Sequence, residues 1–169
     1  MGIWTATPRT WVAGEVPTAA NFNTDVRDFG RAFADAWTSY TPTVTASGTA
    51  TSGWTQTGYY MRAGKLIHAR FHVIAPSSNF GTGTYRIALP VTAASTYPSG
   101  GSLIGTVYFE DSGTASYAGF ARILASATYL QVAYSTSGST ISNYVGPVTQ
   151  PFTFAVNDFM AGTITYEAA

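Results

Sequence analysis

The hydrophobic period of this chain changes once, at Trp37, and that change restricts it to one short helix followed by a sheet. Between residues 18 and 37, Phe22, Val26, Phe29, Phe33 and Ala36 recur at spacings of 4, 3, 4 and 3, the seam of an amphipathic helix. Thr18 is placed to cap it, and Pro17 keeps the chain from turning helical earlier. Arg31 stands three residues after Asp28 and four before Asp35, so the opposite face can carry weak ion pairs. The pattern predicts a helix about 30 Å long.

A helix of that length is marginal alone, so its phenylalanine seam must be buried. Two occupants stay open: the chain's own β-domain, or the same helix of other copies. In the second case a parallel three-stranded bundle is expected, since the rings are bulky for a tight dimer. Residues 1–17 carry Trp4, Pro8, Trp11 and Pro17 around a turn-favouring Ala13-Gly14 pair, which predicts an extended arm. Trp4 and Trp11 either fold back on the body or dock into a partner.

Beyond Trp37 the pattern is that of short strands. Val44 and Ala46 open it, and candidate strands follow near 57–63, 65–75, 83–89, 102–110, 115–124, 127–135, 150–156 and 159–166. Ala63-Gly64, Pro76-Ser77-Ser78, Ser112-Gly113, Ser137-Gly138 and Asn157-Asp158 are among the turn signals between them. In 65–75, Ile67, Ala69, Phe71 and Val73 should share one face, and His68, Arg70 and His72 the other. No helix-length crossover is available for parallel pairing, so the fold expected of 38–169 is an antiparallel β-sandwich of jelly-roll type.

The chemistry of the side chains argues for binding or structure over catalysis. Only nine charged residues fall after residue 37, against seven before it, while 41 serines and threonines and 25 aromatics supply polarity and bulk. Zero net charge and a single lysine, Lys65, give no phosphate-tracking surface, so no nucleic-acid partner is expected. The absence of cysteine removes disulfides, thiolate metal sites and thiol nucleophiles. No apolar run reaches 18 residues, so membrane insertion is not expected, nor is a secretory leader.

His68 and His72 lie about 13 Å apart on one strand face, too far to share a metal, and no cofactor is expected. They and Arg70 form a row suited to a ligand or to neighbouring copies. Glu110-Asp111 leads into a turn, and Gly100-Gly101-Ser102-Leu103-Ile104 lacks the second glycine of a nucleophile elbow. No catalytic residue is assigned. Tyr97, Tyr117, Tyr129, Tyr134 and Tyr144, near predicted turns and edges, are mostly core or cross-strand partners, though hydroxyl-tipped rings also suit sugar faces.

The string Thr10-Trp11-Val12-Ala13-Gly14-Glu15-Val16-Pro17-Thr18-Ala19-Ala20-Asn21-Phe22-Asn23-Thr24-Asp25-Val26-Arg27-Asp28 resembles the N-terminal block of minor tail and fibre-like virion proteins of tailed bacteriophages, especially those of actinobacteria. Gly58-Tyr59-Tyr60, Gly64-Lys65-Leu66-Ile67-His68, Phe80-Gly81-Thr82-Gly83-Thr84-Tyr85 and Pro151-Phe152-Thr153-Phe154 resemble the β-rich block of the same proteins. The resemblance implies a homotrimeric appendage on the particle surface, made in the host cytoplasm. Its arm 1–17 would be anchored on tail or capsid proteins through Trp4 and Trp11. Its stalk 18–37 would trimerise through Phe22, Val26, Phe29 and Phe33, and its head 38–169 would face a host-surface glycan. This chain lacks a long shaft and a Gly-X-Y run. A stand-alone carbohydrate-binding module is the alternative reading.

Overall fold

A computed structural model describes residues 12–16, 18–23, 37–135, 143–146 and 151–169. In the N-terminal part it shows one helical turn, α1 (Ala19–Phe22), whose cap is Thr18: the Thr18 hydroxyl accepts the Asn21 N–H at 3.2 Å. Residues 24–36 lie outside the described residues, and with them the seam positions Val26, Phe29 and Phe33; of Phe22 only the backbone is described. Trp4 and Trp11 of the expected arm fall outside them as well. No helix among the described residues is long and apolar enough to cross a membrane.

The rest is antiparallel sheet: β1 (Thr38–Tyr40), β2 (Val44–Ala46), β3 (Thr55–Ala63), β4 (Leu66–Ile74), β5 (Tyr85–Ala88), β6 (Ser102–Asp111), β7 (Ala115–Ile123), β8 (Tyr129–Tyr134), β9 (Asn143–Tyr144) and β10 (Phe159–Glu167). Most bounds follow the alternation and turn signals closely. β3 and β4 meet at a two-residue turn where Gly64 takes φ 60°, the left-handed setting a tight hairpin needs. β1 and β9 were too short to leave a periodic pattern.

The segment expected as a strand at 150–156 is a correction: residues 151–156 form no strand. Pro151 has no N–H to give, and Phe152 and Phe154 alternate for another reason. Both pack into the apolar cluster, Phe152 stacked on Tyr117 at 5.4 Å and Phe154 meeting Tyr85 edge to face at 5.4 Å.

The architecture also differs from two facing sheets. Hydrogen bonding links all ten strands into one sheet in the order β1-β3-β4-β10-β6-β7-β8-β5-β2, with β9 beside β8. Laid flat, its two edges would stand roughly 38 Å apart at about 4.8 Å per strand. Yet the edge strands β1 and β2 are joined only by residues 41–43, a link that reaches at most about 14 Å. The sheet must therefore curl until its edges approach each other.

Contacts across the closing seam agree with that geometry. Trp54, just before β3, meets Tyr85 of β5 edge to face at 5.2 Å. Beside it the loop after β2 is tied to the segment before β5 in continuation of the β2–β5 pairing, Gly48 donating its N–H to the Thr82 carbonyl at 2.8 Å and the Thr51 hydroxyl donating to the Asn79 carbonyl at 2.7 Å. Inside the curl lie Ile67, Ala69, Phe71 and Val73 of β4, Phe109 of β6, Leu130 and Val132 of β8, and Met160 and Ile164 of β10, all but inaccessible. Burial also pushes the Tyr40 and Tyr85 phenols well above their ordinary range and that of Tyr166 up to about 12. A bulge in β6 between Leu103 and Gly105 turns Ile104 into this core.

Candidate functional site

Register decides which outward side chains become neighbours on such a sheet. Three rows cross β4, β10, β6 and β7 on the outer face: Arg70, Thr163, Thr106, Phe120; then His72, Ala161, Tyr108, Ala118; then Ile74, Phe159, Glu110, Ser116. Ala161 and Ala118 flank Tyr108 and leave a dip. The result is an open groove of about 510 Å³ lined by Arg70, Thr106, Tyr108, Ala118, Ala161 and Thr163.

At one wall the Arg70 guanidinium lies 5.0 Å from the Trp37 ring centre and 5.2 Å from that of Tyr59. Each contact is worth about 0.5–1 kcal/mol at an exposed position, enough to hold a long side chain in place. His68 meets Trp37 edge-on at 5.5 Å, and its Nδ1 shares a 2.8 Å hydrogen bond with the Thr165 hydroxyl. His72 leans on Phe159 at 4.8 Å. The expected row His68, Arg70, His72 is thus on the outer face, each member beside an aromatic ring.

The opposite end is acidic. Glu110 accepts a very short hydrogen bond from the Tyr108 hydroxyl and another from Ser116 Oγ at 2.7 Å. These donors, Tyr108 first and Ser116 second, hold the Glu110 carboxyl below its ordinary 4.5. The depressed value makes the bonds a stabilising influence above that pH, lost as pH falls through the lowered midpoint. An NMR titration of the Glu110 side-chain carboxyl carbon should give a midpoint under 4.5 in the native protein. Ser116→Ala should raise it, and Tyr108→Phe should raise it further.

The remaining acids do structural work. Asp111 opens the β6–β7 turn, its carbonyl accepting the Thr114 N–H at 2.9 Å. Asp158, 1 % exposed, accepts the Ser112 N–H at 2.8 Å through Oδ1 and the Ala155 N–H at 2.6 Å through Oδ2. It fastens two turns together and faces no groove. Among the described residues no group of three His, Asp or Glu side chains could hold a metal ion.

The tyrosines singled out from the sequence are elsewhere. The Tyr97 hydroxyl accepts the Glu167 N–H at 2.8 Å, Tyr117 stacks on Phe152, Tyr129 lies under Arg86 and Tyr134 is buried. The side chain of Tyr144 lies outside the described residues. The rings that frame the groove are Trp37, Tyr59, Tyr108 and Phe159. Strand alternation puts Tyr59 and Tyr108 outside, and only the pairing of β10 with β6 brings Phe159 to 5.8 Å from Tyr108. Comparison of the chain with protein families, with characterised proteins and with solved structures finds no match.

Proposed function

We propose that this chain is a non-enzymatic structural protein of a tailed bacteriophage particle, a short homotrimeric fibre or decoration whose β-domain meets saccharide at the host surface. The observation that carries the binding part is the outer groove, where an aromatic ring, two threonine hydroxyls and a guanidinium converge on an open, shallow floor. Sugars present an apolar C–H face and a rim of hydroxyls, and such a floor offers a match to each. Support for the particle role comes from the sequence string at 10–28, which resembles virion proteins.

In this reading Trp4 and Trp11 anchor the arm on tail or capsid proteins. Phe22, Val26, Phe29 and Phe33 form the seam of a three-stranded coiled coil, and the curled sheet is the head that the sandwich was expected to provide. Three heads on one stalk would turn a weak groove into useful avidity. Trp37, the last residue of the expected stalk segment, contacts Arg70 and His68, and in this reading it would link the stalk to the groove.

Immunogold labelling of intact particles tests the location: gold at a fixed position on tail or capsid is expected, and unlabelled particles would contradict the proposal. Light scattering tests the assembly. A mass three times that of the 17.9 kDa chain is expected, falling to one chain in Phe29→Asp. A single-chain mass unchanged by that substitution would favour a stand-alone carbohydrate-binding module.

A further inference from the structure

We infer that the groove selects a saccharide bearing a carboxylate, with Arg70 as the group that receives it. This rests on reading the groove as a saccharide site and adds the charge of the sugar. Three features of the outer face carry it.

The first is an uncommitted cation. Arg70 is exposed, its contacts are the Trp37 and Tyr59 rings, and no carboxylate lies within ion-pair reach of it among the described residues. The guanidinium's contacts here are with ring centres, at 5.0 and 5.2 Å, and are not hydrogen bonds to an acceptor atom. Its N–H donors lie in the plane and at the edge, the fork that fits a planar carboxylate with two parallel hydrogen bonds.

The second is the order of groups along the row. Arg70, Thr163 and Thr106 stand on three successive strands, about 4.8 Å apart, so a bound carboxylate would have hydroxyl partners for the ring oxygens beside it. The third is the polarity of the groove. Glu110 lies just beyond the wall opposite Arg70, holding the hydroxyls of the lining residue Tyr108 and of Ser116, and would repel an anion at that side. The sugar is therefore oriented, acid toward β4.

The size of the charge favours a carboxylate over a phosphate monoester. The groove wall offers one permanent cation, which balances a single negative charge. A phosphate monoester carries about 1.5 to 2 negative charges at neutral pH and would leave part of that unmet.

The test uses the full chain and isothermal titration calorimetry, with groove amide and methyl shifts followed by NMR. The probes are trigalacturonic acid, its fully methyl-esterified form and galactose 6-phosphate. The acid should bind, and the ester, which has lost the charge and gained a methyl on each carboxyl, about tenfold or more weaker. Arg70→Gln should reduce the difference between acid and ester to less than about twofold. Arg70→Lys, which keeps the charge and loses the fork, should recover only part of it. An unchanged melting temperature in both variants would exclude misfolding as the cause.

Equal binding of acid and ester would overturn the inference and leave a neutral-saccharide groove standing. Preference for the phosphate would overturn it in favour of a phosphorylated polymer. No shift of Thr106, Tyr108 or Thr163 resonances with any probe at about 10 mM, a level that reveals even millimolar affinity, would overturn both it and the saccharide reading. That last outcome would leave the particle role to the immunogold result.

Discussion

Asp158→Ala is expected to lower the unfolding free energy by about 3 kcal/mol, a fall of roughly 6–12 °C in melting temperature for a domain of this size. The carboxylate is 1 % exposed and accepts two backbone N–H groups, Ser112 at 2.8 Å and Ala155 at 2.6 Å. Hydrogen bonds to an ionised acceptor are worth about 1.5–3 kcal/mol each, and their removal also strands two partly buried donors. The same turn holds the end of β4, since Ala75 donates to the Asp158 carbonyl at 2.7 Å and Asn157 to the Ala75 carbonyl at 3.3 Å. Loss of the side chain should loosen the start of β10, the end of β4 and the β6–β7 turn together. Asp158→Asn should recover only part of the loss, because its carbonyl oxygen can accept one of the two N–H groups while its NH2 opposes the other. Denaturant melts of both variants are the check, and a loss below about 1 kcal/mol would show that the turn holds without the carboxylate.

Gly119→Ala is expected to be as damaging, for a steric reason. A Cβ at this position of β7 would collide with the Ala133 carbonyl of β8 on one side and with the Phe109 ring of β6 on the other. The ring could turn aside in a looser core, but the carbonyl belongs to the ladder between β7 and β8 and moves only with its strand. Overpacking in a closed interior costs about 1–3 kcal/mol, and a clash with backbone belongs at the upper end. Gly100→Ala is the control. Its Cβ meets nothing within 4 Å and its φ lies outside the left-handed region, so a change of less than about 0.5 kcal/mol is expected. If thermal melts place the two substitutions level, β7 and β8 are more loosely apposed than their pairing implies.

Both predictions concern residues whose weight is invisible in the sequence. Asp158 reads there as an isolated acid beside an asparagine turn, and Gly119 as one small residue among several. Each acquires its importance from a strand or turn distant along the chain: Ser112 lies 46 residues from Asp158. The His68, Arg70, His72 row was legible, because alternation along one strand is a local property. Tyr108 and Glu110 were visible as residues but not as neighbours of Thr163 and Phe159, since that depends on β10 lying between β4 and β6. The aromatics near the predicted turns serve mainly packing, as expected of most of them, and what the sequence leaves unnamed is their partners. Tyr117 and Tyr129 are satisfied by Phe152 and Arg86, partners supplied by packing.

Short antiparallel strands after Trp37, the limits of most of them, and the apolar face of β4 can all be read from the order of residues alone. Those properties follow from side-chain period and turn chemistry within a few residues, and they hold in any fold the strands could join. That the strands form one curled sheet in place of two, that residues 151–156 pack as aromatic plugs without pairing, and that Asp158 is a fastening are matters of long-range packing. So is the groove between Arg70 and Tyr108. These depend on which strand lies beside which, and that is settled by a three-residue link between the edge strands and by burial of one continuous apolar face, neither of which leaves a periodic mark in the chain.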